Sequence, residues 1–174
     1  MLHKVHRLSK GCVAAAIGIF CFLVGYNNIV DYNTNYQFVE HVLSMDTMEA
    51  WFAGEELKSR AIESSTLKTL GYWTIIAAEL SAGILGVAAA VLMLKNTNHG
   101  GSQFHTGQAL FVLSATIAVL VWYFGFGVVG AEWFQMWANQ WNGQMKAYTF
   151  ATFILIAAIY VLLPSPREWK ETSN

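Results

Sequence analysis

The sequence predicts an all-α integral membrane protein, a four-helix bundle, on three observations. Four apolar stretches, at about 11–29, 72–94, 107–129 and 147–163, each approach the ~20 residues a helix needs to cross a bilayer. Hydrophobic residues make up 55 % of the chain and charged residues 12 %, against about 25 % charged in an ordinary soluble domain. The few charges also collect between the stretches rather than inside them. In hydrocarbon every backbone N–H and C=O must find its partner within the structure, so runs of this length fold as helices. The 174 residues are expected to form one membrane domain.

The first span follows Lys4, Arg7 and Lys10 and ends in Tyr26, Asn27 and Asn28, whose ring and amides suit the headgroup region. No small-x-small cleavage pattern follows the apolar run, so it reads as a retained anchor rather than a cleaved signal. Cys12 and Cys21 lie nine residues apart on it, about 13 Å along a helix, too far to bridge. They read as small apolar fillers.

The loop from 30 to 71 is long and acidic. Asn33 or Thr34 is expected to cap a helix in which Phe38, Val42, Met45 and Phe52, with Val39 and Leu43, recur at helical spacing from Tyr36 to Phe52. Too short and too charged to span, this amphipathic helix should lie on the outer membrane surface or cap the bundle. Gly54 is expected to break it, with a solvated helix of mixed charge from Glu55 to Lys68.

The second span opens on Tyr72 and Trp73 and carries Glu79 about two turns in. Ala82, Gly86 and Ala90, spaced four residues apart, form a small-residue face that lets a neighbouring helix approach closely. Asn96, Asn98, Gly100, Gly101 and Ser102 then mark a flexible connection from Lys95 to Thr106. The third span ends in an aromatic run, Trp122-Tyr123-Phe124, and continues into Gly130-Ala131-Glu132-Trp133-Phe134-Gln135-Met136-Trp137. The fourth is ended by Pro164 and Pro166, which cannot continue a helix.

Charge placement orients the spans. Lys4, Arg7, Lys10, Lys95, Arg167 and Lys170 fall on one side, whereas acidic residues outnumber basic ones in the loop between spans one and two. Short loops rich in Lys and Arg stay cytoplasmic, so both termini are expected inside and the long loop outside. The net charge of −1 provides no basic face to track nucleic-acid phosphates.

A carboxylate in a transmembrane helix is costly and marks a candidate functional site, which singles out Glu79. The alternative is a structural Glu hydrogen-bonded to a neighbouring helix. Glu132, on a bent interfacial segment, joins it with His41 and Asp46 as candidates to frame an outward-facing pocket lined by the indoles of Trp133 and Trp137. Such a pocket would take a cation or a small amphipathic molecule through carboxylates and cation–π contacts. An aromatic belt at the membrane interface accounts for the same tryptophans without a ligand.

No nucleophile elbow, P-loop, dinucleotide fingerprint or zinc signature is present, so no catalytic, cofactor or metal residue is assigned. Haem ligation is disfavoured because every histidine lies outside the apolar cores. His3, His6, His99 and His105 share the inner side but lack compact ligand spacing.

Two strings carry a resemblance: Tyr26-Asn27-Asn28-Ile29-Val30-Asp31-Tyr32 continued by 35–47, and Gly130 to Trp137 with Trp141-Asn142-Gly143. They resemble a bacterial family described as predicted small integral membrane proteins, a domain of unknown function, and the likeness runs along almost the whole chain. It implies a multi-pass protein of the bacterial inner membrane and brings no catalytic residues. It also implies that the two outer strings pack together, with the first-loop helix against the Trp-rich turn. The function expected is that of an accessory or scaffolding component, associating through its helices in a homo-oligomer or with other inner-membrane proteins. The alternative is transport or binding of a small molecule or ion at Glu79 and the aromatic pocket.

Overall fold

A computed structural model of the chain describes residues 1–98 and 101–164. His99, Gly100, Pro166, Arg167 and Lys170, each named in the sequence reading, lie outside the described residues. Four long helices run antiparallel in turn: α1 (Leu2–Val30), α3 (Ser65–Lys95), α4 (Gly101–Val119) and α5 (Gln144–Leu162). The shorter α2 (Tyr32–Ser44) lies between α1 and α3. Beyond Val119 the α4 rod continues without a break as a π-helix, Leu120–Trp133. Among the described residues four segments are long and apolar enough to cross a membrane: Leu2–Val30, Ser65–Lys95, Gly101–Trp133 and Gln144–Leu162.

Each of the four spanning segments is longer than the apolar stretch that marks it, the last only slightly. Hydropathy sees only the part in hydrocarbon, whereas a helix continues into the headgroup region as long as its backbone bonds close. At 1.5 Å per residue the 31 residues of α3 reach about 45 Å, the full bilayer with its interfaces. The helix starts at Ser65, not at Tyr72, because the Ser64 hydroxyl accepts the Leu67 N–H and satisfies one of its free donors. At the other terminus of the fold, Lys4, Arg7 and Lys10 lie within α1 rather than ahead of it, and Arg7 and Lys10 are buried. The connection expected from Lys95 to Thr106 is mostly helix, since α4 begins at Gly101.

The loop between spans one and two also differs from expectation. Asn33 and Thr34 lie inside α2 rather than capping it, and Asp31 holds the cap position without a side-chain bond. The helix stops at Ser44, where Met45 turns left-handed at φ 50, ten residues before Gly54. The Ile62 N–H bonds the Leu43 carbonyl at 2.8 Å, so a residue from far along the loop satisfies the end of α2. Held there, 55–68 cannot form one helix: it gives a 3-10 turn, Glu55–Arg60, and an extended residue at Ala61 before α3.

The tightest packing joins α1 and α3. Gly11, Ala14, Gly18, Cys21 and Gly25 are all buried on α1 and alternate three and four residues apart, the spacing of a helix seam. A Cβ on Gly18 would stand 2.5 Å from Val87 N and 2.6 Å from Gly86 C, and one on Gly83 2.5 Å from Phe22 Cα. Backbone meets backbone here, as small residues in membrane helices permit. On the far side of α3, Gly107 of α4 packs on Met93 and Ala89, and the Ser114 hydroxyl donates to Ala82 O at 2.6 Å. Phe20 of α1, Trp122 of the π-helix and Phe150 and Phe153 of α5 close the core with ring centroids 5.1–5.8 Å apart.

Candidate functional site

The end of the bundle that carries α2, opposite the termini, holds the chain's unusual features: a clasp, a buried carboxylate and an apolar cleft. The clasp joins the two strings singled out in the sequence. Met48 and Asn139 form an isolated antiparallel bridge, with Glu49 N donating to Ala138 O (2.8 Å) and Gln140 N to Thr47 O (3.0 Å). Asn139 is its centre. Its Oδ1 accepts from the Thr47 hydroxyl (2.9 Å) and from Trp141 N (2.8 Å), and its Nδ2 donates to His41 O (3.3 Å). Gln135 supports the turn in a left-handed conformation at φ 54. Beneath the clasp, Val42 and Met45 of the loop are buried against Ala131, Phe134 and Met136.

Glu79 sits apart from this, at the α1–α3 seam and 2 % exposed. Its Oε2 accepts a 2.7 Å hydrogen bond from Asn28 Nδ2, while the Tyr72 hydroxyl donates to the Asn28 carbonyl at 2.9 Å. Asn28 thus has its side chain tied to one α3 residue and its backbone to another. A polar trio of this kind pins the register of two helices whose contact is otherwise made by small and apolar residues.

The other candidates are spread over the cap. His41 Nδ1 lies 2.9 Å from Asp46 Oδ1, and its ring stacks on Trp141 at 5.2 Å. Trp137 stacks on exposed Trp51 at 5.8 Å, with Phe52 edge-on at 6.4 Å. Trp133 carries the Arg60 guanidinium 4.5 Å above its ring, and Arg60 Nη1 also donates to the Trp133 carbonyl at 3.1 Å. The Glu132 side chain is exposed. The structure brings His41 and Asp46 together and leaves Glu79, Glu132 and the two tryptophans in separate surroundings. Among the described residues no three His, Cys, Asp or Glu side chains gather closely enough to hold a metal ion.

The cleft was not anticipated. Under α2 the π-helix and α3 separate and leave a cavity of about 400 Å³, roofed by Phe38, Val42 and Leu43 and walled by Gly71, Ile75 and Ala78 on α3 and by Ile117, Val121 and Phe126 opposite. None of the six candidate residues lines it. The facing wall is largely the π-helix, at whose end the Phe134 N–H reaches back five residues to Val129 O, and π-segments are rare and tend to mark functional sites. The sequence signal was the pair Gly125 and Gly130, with Gly71 opposite. No periodicity rule converts such glycines into a cavity.

The small-residue face of span two is used inside the chain. Gly86 meets Gly18, and Ala82 and Ala90 are buried in the core, so this face is not free to join a second protein. No curated protein and no solved structure matches the chain. The model of one family, described as predicted small integral membrane protein (DUF2165), matches residues 6–164, nearly everything from α1 to the end of α5. With four membrane-length helices and that match, the chain belongs to this family of small integral membrane proteins.

Proposed function

We propose that the protein is a non-enzymatic accessory component of the bacterial inner membrane, with both termini cytoplasmic, that acts by associating with another membrane polypeptide or a second copy of itself through its capped end. The observation that carries this reading is the patch formed by Trp51, Phe52 and Trp137. Trp51 is 62 % exposed and Trp137 41 % exposed although they stack on one another, on a cap whose backbone the clasp holds fixed. Tryptophan is among the residues enriched at the energetic centres of protein interfaces, and the α1–α3 seam that would otherwise support helix association is already filled. Lys4, Arg7, Lys10 and Lys95 at the terminal end support the orientation.

The test replaces Trp51 and Trp137 together by Ser and follows the native assembly by mass spectrometry from nanodiscs. Loss of a stoichiometric partner or of the dimer, with the fold intact by circular dichroism, is the expected outcome. An unchanged assembly would remove the reading.

A second reading rests on Glu79, whose burial between α1 and α3 fits a proton- or cation-handling group. Here Glu79→Gln separates the roles. It preserves an acceptor for Asn28 and should spare assembly, whereas any proton-linked flux through reconstituted vesicles should be lost. Flux equal to the unmodified protein would rule out Glu79 as its carrier.

A further inference from the structure

We propose that the cleft beneath α2 holds one acyl chain of a membrane phospholipid as a resident ligand. The walls come from the second and third spans, within the segments long and apolar enough to lie in the bilayer. The medium at the mouth is therefore hydrocarbon. Of the side chains that line it only Thr74 carries a polar group, and that hydroxyl already donates to Leu70 O at 2.8 Å. Water needs two to four polar partners to occupy a cavity and finds none here. An apolar cavity of about 150 Å³ accepts a benzene ring; by proportion the 400 Å³ of this cleft takes on the order of sixteen carbons, the content of a single lipid chain.

The rim suits the rest of a phospholipid. Lys68, one turn before Gly71 on α3, is 7 % exposed and donates to the Ser44 hydroxyl at 2.9 Å, next to Leu43 of the roof. Its ammonium also forms an ion pair with Glu40 Oε1 at 3.5 Å, so a phosphate reaches Lys68 by joining or displacing that carboxylate. A chain lying between Ile75 and Val121 with its glycerol end upward brings the phosphate to Lys68 and Ser44, a cation and a hydroxyl at headgroup level. Gly71 keeps the path open. A Cβ there meets only Leu43 Cδ1, at 3.8 Å, so a larger side chain enters the cleft without displacing backbone.

The experiment places a photoreactive amino acid at Thr74, and in a second preparation at lipid-facing Ile156 of α5. The protein is reconstituted in phosphatidylethanolamine–phosphatidylglycerol nanodiscs, extracted, washed exhaustively with mild detergent and irradiated. The expected result is an adduct of phospholipid mass at position 74, none at position 156, and loss of the adduct in Gly71→Leu, which repacks the cleft and retains the helical fold. Lys68→Ala, read in the same way, should lower the adduct by weakening the hold on the phosphate. An adduct of free fatty-acid mass would overturn the phospholipid assignment. A cross-linked pair of chains would show a second copy in the cleft and overturn it equally, as would equal labelling at 74 and 156 or an adduct that survives Gly71→Leu.

Discussion

Gly18 and Glu79 act on the same helix pair by opposite means, one through the absence of a side chain and one through a polar group held away from water. A methyl at position 18 would lie 2.5 Å from the backbone nitrogen of Val87. Because backbone cannot rotate aside, Gly18→Val should force α1 and α3 apart and cost about 1–3 kcal/mol, the usual range for overpacking. Unfolding in mixed micelles against increasing denaturing detergent measures it, and Gly86→Val should behave alike. Gly71→Ala, where the nearest atom is 3.8 Å away, should instead gain about 0.5–1 kcal/mol, since alanine replaces glycine within a helix at no steric cost. Equal effects at positions 18 and 71 would contradict the seam. For Glu79 the pair of variants discriminates: Glu79→Gln should change stability little, whereas Glu79→Ala leaves the Asn28 amide unpaired and should cost about 1–3 kcal/mol. The sequence marked Glu79 because a carboxylate among apolar residues is visible from composition alone. Its partner Asn28 was read only as an interfacial residue, because a hydrogen bond across 51 positions leaves no local trace.

At the scale of elements, the clasp sets how independently the cap can move. Asn139 alone supplies three of its hydrogen bonds, each worth about 0.5–1.5 kcal/mol net. Asn139→Ala should therefore open the cap locally while the spans remain folded. Hydrogen exchange is the suitable measurement: amides of Glu49 and Gln140 should exchange faster and those in the core of α3 should not. If the whole bundle loses protection together, cap and spans form one cooperative unit. The pairing of the two strings was expected before the structure only through the family resemblance that they carry. The extent of α2 was not, since its end is set by the bond from Ile62 to Leu43, a tertiary contact. The π-helix was equally hidden, because a shift from i→i−4 to i→i−5 bonding leaves no mark in a uniformly apolar run.

For the whole molecule, four antiparallel spans place residues 2 and 164 at one end and the clasp at the other. Reporter enzymes fused ahead of residue 2 and after residue 164 should report the same side, and one inserted near Trp51 the opposite side. If the bias of Lys and Arg operates as proposed, the shared side is the cytoplasm. Number and class of the spans were readable because a bilayer imposes a minimum apolar length that composition cannot conceal, whereas the helices' full lengths were not. How the spans contact one another was only half readable: the face of Ala82, Gly86 and Ala90 on α3 was evident, but Gly83 beside it and Gly11, Gly18 and Gly25 of α1 were not distinguished from ordinary apolar filler until the partner helix was in place.

The glycine seam has a mechanical consequence. Where Gly18 meets Gly86 and Gly83 meets the Phe22 backbone few rotamers separate α1 from α3, so the pair should behave as a stiff beam. The facing wall, where the π-helix stands off from α3 and leaves a void, has fewer atoms to resist displacement. When lateral pressure in the bilayer changes, through curvature or lipid composition, the compliant wall should deflect first and the beam should keep its shape. Strain would then concentrate along one identifiable flank of the bundle.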